Sequence, residues 1–270
     1  MFGARTVIMM KGASMKTIDL NSDLGEGFGV YSLGDDAAML EIVTSANIAC
    51  GFHAGDPLVM ADTLAAAKAR GVGVGAHPSF MDLWGFGRRP ILGQRPTDIE
   101  KQLIYQIGAL QALAHAQGLR LGHVKTHGSL GNMANEDLDL ARAVARAIKA
   151  VDPGLIFVVM PGLPTERAGE EAGLKLAREI YADRAYADNG NLASRKLPGA
   201  VLHDAEVAAA RVLQIIESGE VVSINGKRIP VKADTICVHG DTPGAVAMAR
   251  AVKRCLDDVS HAVKPMAEWL

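Results

Sequence analysis

Short apolar runs alternate with longer stretches of three- and four-residue apolar spacing along most of this chain. Runs of strand length fall at Thr17–Leu20, Ala46–Cys50, Val72–Ala76, Leu121–Lys125, Leu155–Met160, Leu176–Tyr181 and Thr235–Val238. Between them, Asp35–Ser45, Pro57–Arg70, Thr97–Gln117, Glu136–Ala150, Thr165–Gly173 and His203–Ser218 read as helices, and a last helix opens at Pro243 and runs through Leu256. Leu58, Ala61, Leu64, Ala65 and Lys68 show the helical period most clearly. Thr97 with Glu100 predicts a capping box, and Asn225-Gly226 predicts the type I′ turn of a small hairpin over Val221–Val231. Strands separated by helices imply a parallel sheet. The reading is one α/β domain over residues 15–270, a single (β/α) barrel of seven strands. A doubly wound open sheet has the same periodicity and is the alternative. Residues 1–14 lack a long apolar core and a small-residue cleavage site, and are expected to form a disordered leader outside the fold.

Composition narrows the function more than the fold. The formal charge of −2 over 270 residues leaves no footprint for nucleic acid or an anionic membrane. No run approaches the roughly 20 apolar residues that span a bilayer. Three cysteines (Cys50, Cys237 and Cys255) are too few and too scattered for a disulfide framework, so a reducing cytoplasm is the expected location. Cys50 and Cys237 end strands and read as small buried hydrophobes.

Candidate chemistry follows the strands. The stretch Asn47-Ile-Ala-Cys-Gly-Phe-His-Ala-Gly-Asp-Pro57 sets the pattern: an apolar run, a glycine-punctuated loop with His53 and Asp56, then a helix start. Asp56 serves a helix N-cap as well as a site. Five such loops carry ionisable groups: Asp19, Asp23 and Glu26; His53 and Asp56; His77, Asp82, Arg88 and Arg89; Lys125 and His127; His239 and Asp241. In a barrel these loops converge on one mouth. A lone loop histidine means little, but His53, His77, His127 and His239 share one topological position. His115, His203 and His261 stand in helical surroundings and read as structural. The loop cluster suits acid/base chemistry and equally a divalent metal. Against a metal, no His-Glu-x-x-His occurs, and His123 and His127 do not share a helix face. Arg88 and Arg89, or Arg184 and Arg195, are candidates to clamp a carboxylate. No phosphate-binding glycine loop, dinucleotide fingerprint or nucleophile elbow is present.

Six motifs together resemble the LamB/YcsF family: Asp19-Leu-Asn-Ser-Asp-Leu-Gly-Glu-Gly-Phe-Gly29, the Asn47–Pro57 stretch, Gly75-Ala-His-Pro78 with Gly85-Phe-Gly-Arg-Arg89, Val124-Lys-Thr-His-Gly128, Ala182-Asp-Arg-Ala-Tyr186, and Cys237-Val-His-Gly-Asp-Thr-Pro-Gly244. They cover about residues 17–256 in order. The resemblance implies a barrel similar to those of glycoside hydrolases and polysaccharide deacetylases. It implies ATP-dependent opening of the 5-oxo-L-proline lactam to L-glutamate, with ATP as its Mg2+ complex and with 5-oxoprolinase subunits B and C as partners. Thr126, Ser22 and Gly131 depart from the family pattern, at a usual proline, cysteine and aromatic.

On that resemblance, Asp23, His53, His77, Lys125, His127 and His239 are the expected catalytic residues, with no metal ligand assigned. Asn21, Glu26, Asn47, Asp56, Arg88, Arg89, Asp183, Arg184 and Asp241 are the expected substrate-binding set. Asp23 and His53 would activate water or orient the lactam, the other histidines and Lys125 would transfer protons and stabilise charge, and Arg88 or Arg89 would hold the substrate carboxylate. Two rival readings are a metal-dependent hydrolase or deacetylase working on its own, and a non-catalytic protein that binds substrate for its partners.

Overall fold

A computed structural model describes residues 17–241, 244–259 and 261–270. The leader 1–14 and the helix start at Pro243 lie outside the described residues. Among those described run ten strands: β1 (Thr17–Leu24), β2 (Ser45–Ala49), β3 (Gly73–His77), β4 (His123–Val124), β5 (Ile156–Val159), β6 (Lys175–Tyr181), β7 (Glu220–Val222), β8 (Arg228–Pro230), β9 (Thr235–Cys237) and β10 (Ala262–Val263). Strands β1 to β6 pair in sequence, all parallel, and β9 joins β6 to β1. Thr235 is in register with Asp19 on one side and Glu179 on the other, so seven strands close a barrel and the open-sheet alternative is excluded. The β7–β8 hairpin is antiparallel, and β10 adds to the start of β1. The hairpin's turn is not the type I′ expected, because Gly226 has a positive φ of 85° and Asn225 does not.

Eight helices of the described residues surround the barrel: α1 (Asp36–Leu40), α2 (Pro57–Arg70), α3 (Pro96–Ala116), α4 (Gly128–Ala134), α5 (Leu138–Val151), α6 (Pro164–Ala172), α7 (Ala205–Ser218) and α8 (Ala245–Asp258). Their ends follow local chemistry. Asp56 accepts from the Leu58 and Val59 amides ahead of Pro57, and Gly71 closes α2 at φ 68°. The capping box expected at Thr97 and Glu100 does not form. Pro96 takes the first helical position instead, and Glu100 pairs with Arg146 of α5. The polar stretch after Lys125, which reads as loop in the sequence, holds the short helix α4. The helix expected over Asp35–Ser45 stops at Leu40, because Ser45 is already in β2.

The largest correction is β1, which continues past Leu20 through Asn21, Ser22 and Asp23. Ile18, Leu20 and Leu24 join the helix-side core with Leu64, Leu103, Val144, Val212 and Val252. The alternate positions Asp19, Asn21 and Asp23 bond across to Ser45, Asn47, Lys125 and Thr235. The interior of this barrel is therefore a polar network toward its C-terminal end. At the opposite end Met266 packs on Ile156, Val158 and Ala177, beside the buried Asp19. Gly75 of β3 has no room for a side chain, because a Cβ there would overlap the His123 ring.

Candidate active site

Lys125 is the hub of the interior network. Its Nζ lies 2.9 Å from Asp23 Oδ1, 3.0 Å from Glu179 Oε1 and 3.0 Å from Cys237 Sγ. Burial works against its charge, but Asp23, Cys237 and Glu179 more than offset that and raise the ammonium well above its usual range. Burial likewise opposes ionisation of Asp23, yet the facing His77 and Lys125 win and hold its carboxyl well below the ordinary value. Below this pair, Asn47 donates to Asn21 Oδ1 and Asp23 Oδ1, and its own carbonyl meets His123 Nε2 at 2.7 Å. Burial and the Lys125 charge push His123 down to about 3, so it is a neutral donor to Asn47. Asp19, deeper still, is pushed up to about 6 by burial against hydrogen bonds from Ser45, Thr235 and Thr44.

Above it, three imidazoles pack with one carboxyl. His53 stacks on His127 with centroids 3.8 Å apart, and His77 stands edge-on to both. His77 Nδ1–H donates to the Lys125 carbonyl at 2.7 Å, and His127 Nε2–H donates to the Phe86 carbonyl at 2.8 Å. The Phe86 carbonyl is set by a backbone in the left-handed region, φ 53°, at the end of the turn Leu83–Gly85. Gly87 follows at φ 64°, where a Cβ would strike Ser79 and both His127 and His53. Glu26 Oε1 is 3.3 Å from His53 Nε2 and 3.4 Å from His127 Nδ1. Burial, reinforced by the Asp23 and Asp241 charges, pushes Glu26 well above its ordinary range. Burial also drives His53 and His127 well down, His53 helped by His77 and His127 by His53.

A cavity of about 630 Å³ opens over this cluster, lined by Asp23, His77, Lys125, His127, Glu179 and His239 among others. His239 Nδ1–H donates to both Asp183 oxygens at 2.8 and 2.9 Å. Burial resists the Asp183 charge, but His239 outweighs it and lowers the carboxyl below its usual value. Arg88, Arg184 and Arg195 also line the cavity. Arg88 pairs with Asp241 at 2.6 Å, while Arg184 bonds to the carbonyls of Ala193 and Ala200. Burial and the nearby Arg195 bring Arg184 down to about 10, and burial and Arg88 lower Arg195 in turn. Mutually repelling guanidinium groups around one cavity form a wall suited to an anion.

The structure thus brings all six expected catalytic residues into two contiguous layers, and it reassigns several of the binding set. Asp56 caps α2 and also accepts from the Gly29 amide at 2.6 Å, a structural role at the surface. Arg89 turns away to Asp82, which in turn fixes the Gly85 amide, so it shapes the loop and does not line the cavity. Asn21 and Asn47 are completely buried beneath the cavity and position Asp23. Asp183 orients His239, Asp241 pairs with Arg88, and Arg184 faces the cavity as expected. Cys237 is more than a small hydrophobe, since it touches Lys125. The sequence pattern assigns no site role to Glu179, Tyr181 or His123. Their signal is position: Ala177, Glu179 and Tyr181 alternate along β6 with the outward Ile180, an arrangement that marks Glu179 as facing inward.

The fold is a closed seven-stranded β/α barrel with a buried carboxylate–lysine–imidazole network at its C-terminal mouth, an arrangement that can carry acid/base chemistry. Residues 18–270 match the LamB/YcsF family, and the chain belongs to that family. The A subunit of 5-oxoprolinase from Rhodopseudomonas palustris (strain BisB5) is 58% identical over 250 residues, 93% of this chain and 98% of that one. Its counterpart from Nitrobacter hamburgensis is 57% identical over 249 residues, 92% and 98% of the two chains. The solved lactam utilization protein from Thermus thermophilus is 44% identical, covers 92% of this chain and 99% of its own, and superposes with a TM-score of 0.86.

Proposed function

We propose that this chain is the A component of an ATP-dependent 5-oxoprolinase, opening the lactam of 5-oxo-L-proline to L-glutamate together with subunits B and C. The observation that carries this reading is one cavity lined jointly by Asp23, His77, Lys125 and His239 and by the three arginines. The arginines answer the substrate carboxylate. Lys125 supplies a fixed cation to the lactam carbonyl oxygen and to the phosphoryl group placed on it. Asp23, kept ionised, takes the proton of the attacking water, and His239, as the imidazolium that the Asp183 carboxylate faces at Nδ1, gives its Nε2 proton to the departing ring nitrogen. An unactivated lactam is a poor electrophile; transfer of the ATP γ-phosphoryl to its carbonyl oxygen, with ADP leaving, would make the attack feasible. Ring opening would then leave a γ-glutamyl phosphate, and a second water would release phosphate and L-glutamate. The cavity is larger than a five-membered lactam fills, which supports a second reactant there. ATP, as its Mg2+ complex, is handled with the partner subunits on this reading. Exposed Val30 and Tyr31 on the loop after β1, and Trp84 on the loop after β3, support a partner contact at the mouth. No helix among the described residues is long and apolar enough to cross a membrane.

The test is glutamate release from 5-oxoproline and ATP, by the chain alone and by the chain mixed with subunits B and C. Glutamate from the complete mixture, lost with Asp23→Asn and lost without ATP, is the expected result. Lactam opening that persists without ATP would replace this reading with a hydrolase working on its own.

A further inference from the structure

The imidazole cluster holds a close contact that a proton or a metal cation must fill. His77 Nδ1 and His127 Nε2 each face a carbonyl oxygen, at 2.7 and 2.8 Å, so both of those nitrogens carry hydrogen. In the neutral rings, His77 Nε2 and His127 Nδ1 are then both lone-pair acceptors, and they point at each other across 3.0 Å. Two lone pairs do not stand at that distance without a shared proton or a positive ion between them. A further ligand atom faces the same point: Glu26 Oε1, 3.4 Å from His127 Nδ1. These atoms lie within 4.8 Å of one another, and all three residues are buried.

We propose that Glu26, His77 and His127 bind a divalent transition-metal ion of the Zn2+ class, with His53 stacked flat on His127 as the wall of the site and not as a ligand. A tetrahedral ion with bonds of about 2.0–2.1 Å sets its ligands about 3.3 Å apart along each edge. Two of the edges are direct contacts, 3.0 Å for His77–His127 and 3.4 Å for His127–Glu26. Two imidazoles and a carboxylate suit a borderline ion such as Zn2+ or Co2+ better than Mg2+ or Ca2+, which prefer oxygen, and three protein ligands leave a fourth position open. The outer contacts also fit: metal-binding histidines give their second ring N–H to a carbonyl or carboxylate, as His77 and His127 do here. His77 and His127 line the cavity while Glu26 and His53 do not, so such an ion would sit at the cavity wall with one side toward a bound molecule. Asp23 Oδ2, 3.3 Å from His77 Nε2, borders the site.

The proposal concerns metal binding and does not depend on the identity of the substrate. The full-length protein is stripped with a chelator, dialysed against ZnCl2 or CoCl2, freed of loose ion and assayed for bound metal per chain. One tightly held ion per chain is expected, with a Co2+ absorption spectrum of the intense tetrahedral type. Glu26→Gln and His127→Gln should each weaken retention by more than the roughly 10–100-fold that loss of an outer-shell partner costs. His115→Gln, on the surface in the last turn of α3, should leave it unchanged. Should either site variant fail to fold, the Co2+ spectrum of the parent protein still reads the ligand set. Failure of the parent protein to retain Zn2+ or Co2+, or retention unchanged in both folded site variants, would overturn the proposal and leave a shared proton between His77 and His127.

Discussion

Replacing Lys125 with methionine removes the cation at the centre of the barrel while roughly keeping its volume. Lys125 is buried and contacts Asp23 and Glu179, at 2.9 and 3.0 Å. Both carboxyls are buried as well, so neither can recover its loss by turning to water. Breaking a buried pair by deleting one partner costs about 3–5 kcal/mol, because the remaining charge is stranded. For a chain of this size that is a fall in Tm of roughly 10 °C. The sign of the pH dependence follows from the carboxyl. In the parent protein Asp23 is held below its ordinary range, so its stabilisation is present above the unfolded-state value and is lost as pH falls through the folded one. Without Lys125, burial is less opposed and the folded-state value rises. A raised carboxyl penalises the fold at neutral pH, and the penalty is relieved as protons bind. The gap between parent and Lys125→Met should therefore be widest near about pH 8 and narrow toward about pH 5. Denaturant unfolding followed by fluorescence across that range measures it. A loss under about 1 kcal/mol at neutral pH, or one that does not change with pH, would refute the argument that these charges are mutually compensated.

Two further outcomes address the site directly. Arg195→Ala should raise KM for 5-oxoproline by roughly 10–100-fold, the loss of a charged hydrogen bond, while Arg89→Ala, whose partner is Asp82, should move KM far less; steady-state glutamate release compares the two. Asp183→Asn should lower kcat by about 100-fold or more with little change in KM, because His239 loses the carboxylate that faces its imidazolium. An equal rise in KM would instead mean that Asp183 contributes to binding.

Much of the site can be located along the chain, though with wrong assignments at particular residues. His53, His77, His127 and His239 each follow an apolar run, and the barrel collects them because every strand points its C-terminal end the same way. Arg89 and Asp56 carry the same sequence credentials as Arg88 and Asp23. What separates them is where the side chain finds its partner: Asp82 for Arg89, and the α2 amides for Asp56. Glu179 escapes a reading of the sequence because one carboxylate within a strand looks like a solvent-facing residue until the sheet closes.

The alternation of strands and helices, the caps such as Asp56 with Pro57, the presence of a hairpin around Gly226 though not its turn type, and the position of the chemistry after the strands are all determined by the sequence itself, since periodicity and capping are local properties of the chain. Three things were decided only by tertiary structure. Closure of the barrel rests on β9 pairing with both β1 and β6, contacts between residues far apart in sequence. The extension of β1 through Asp23 rests on partners at Asn47, Lys125 and Thr235, which make a polar run stable where its own pattern reads as loop. The protonation of Glu26, Asp23 and Lys125 rests on burial and on which charges burial brings together, and neither can be read from one position along a chain.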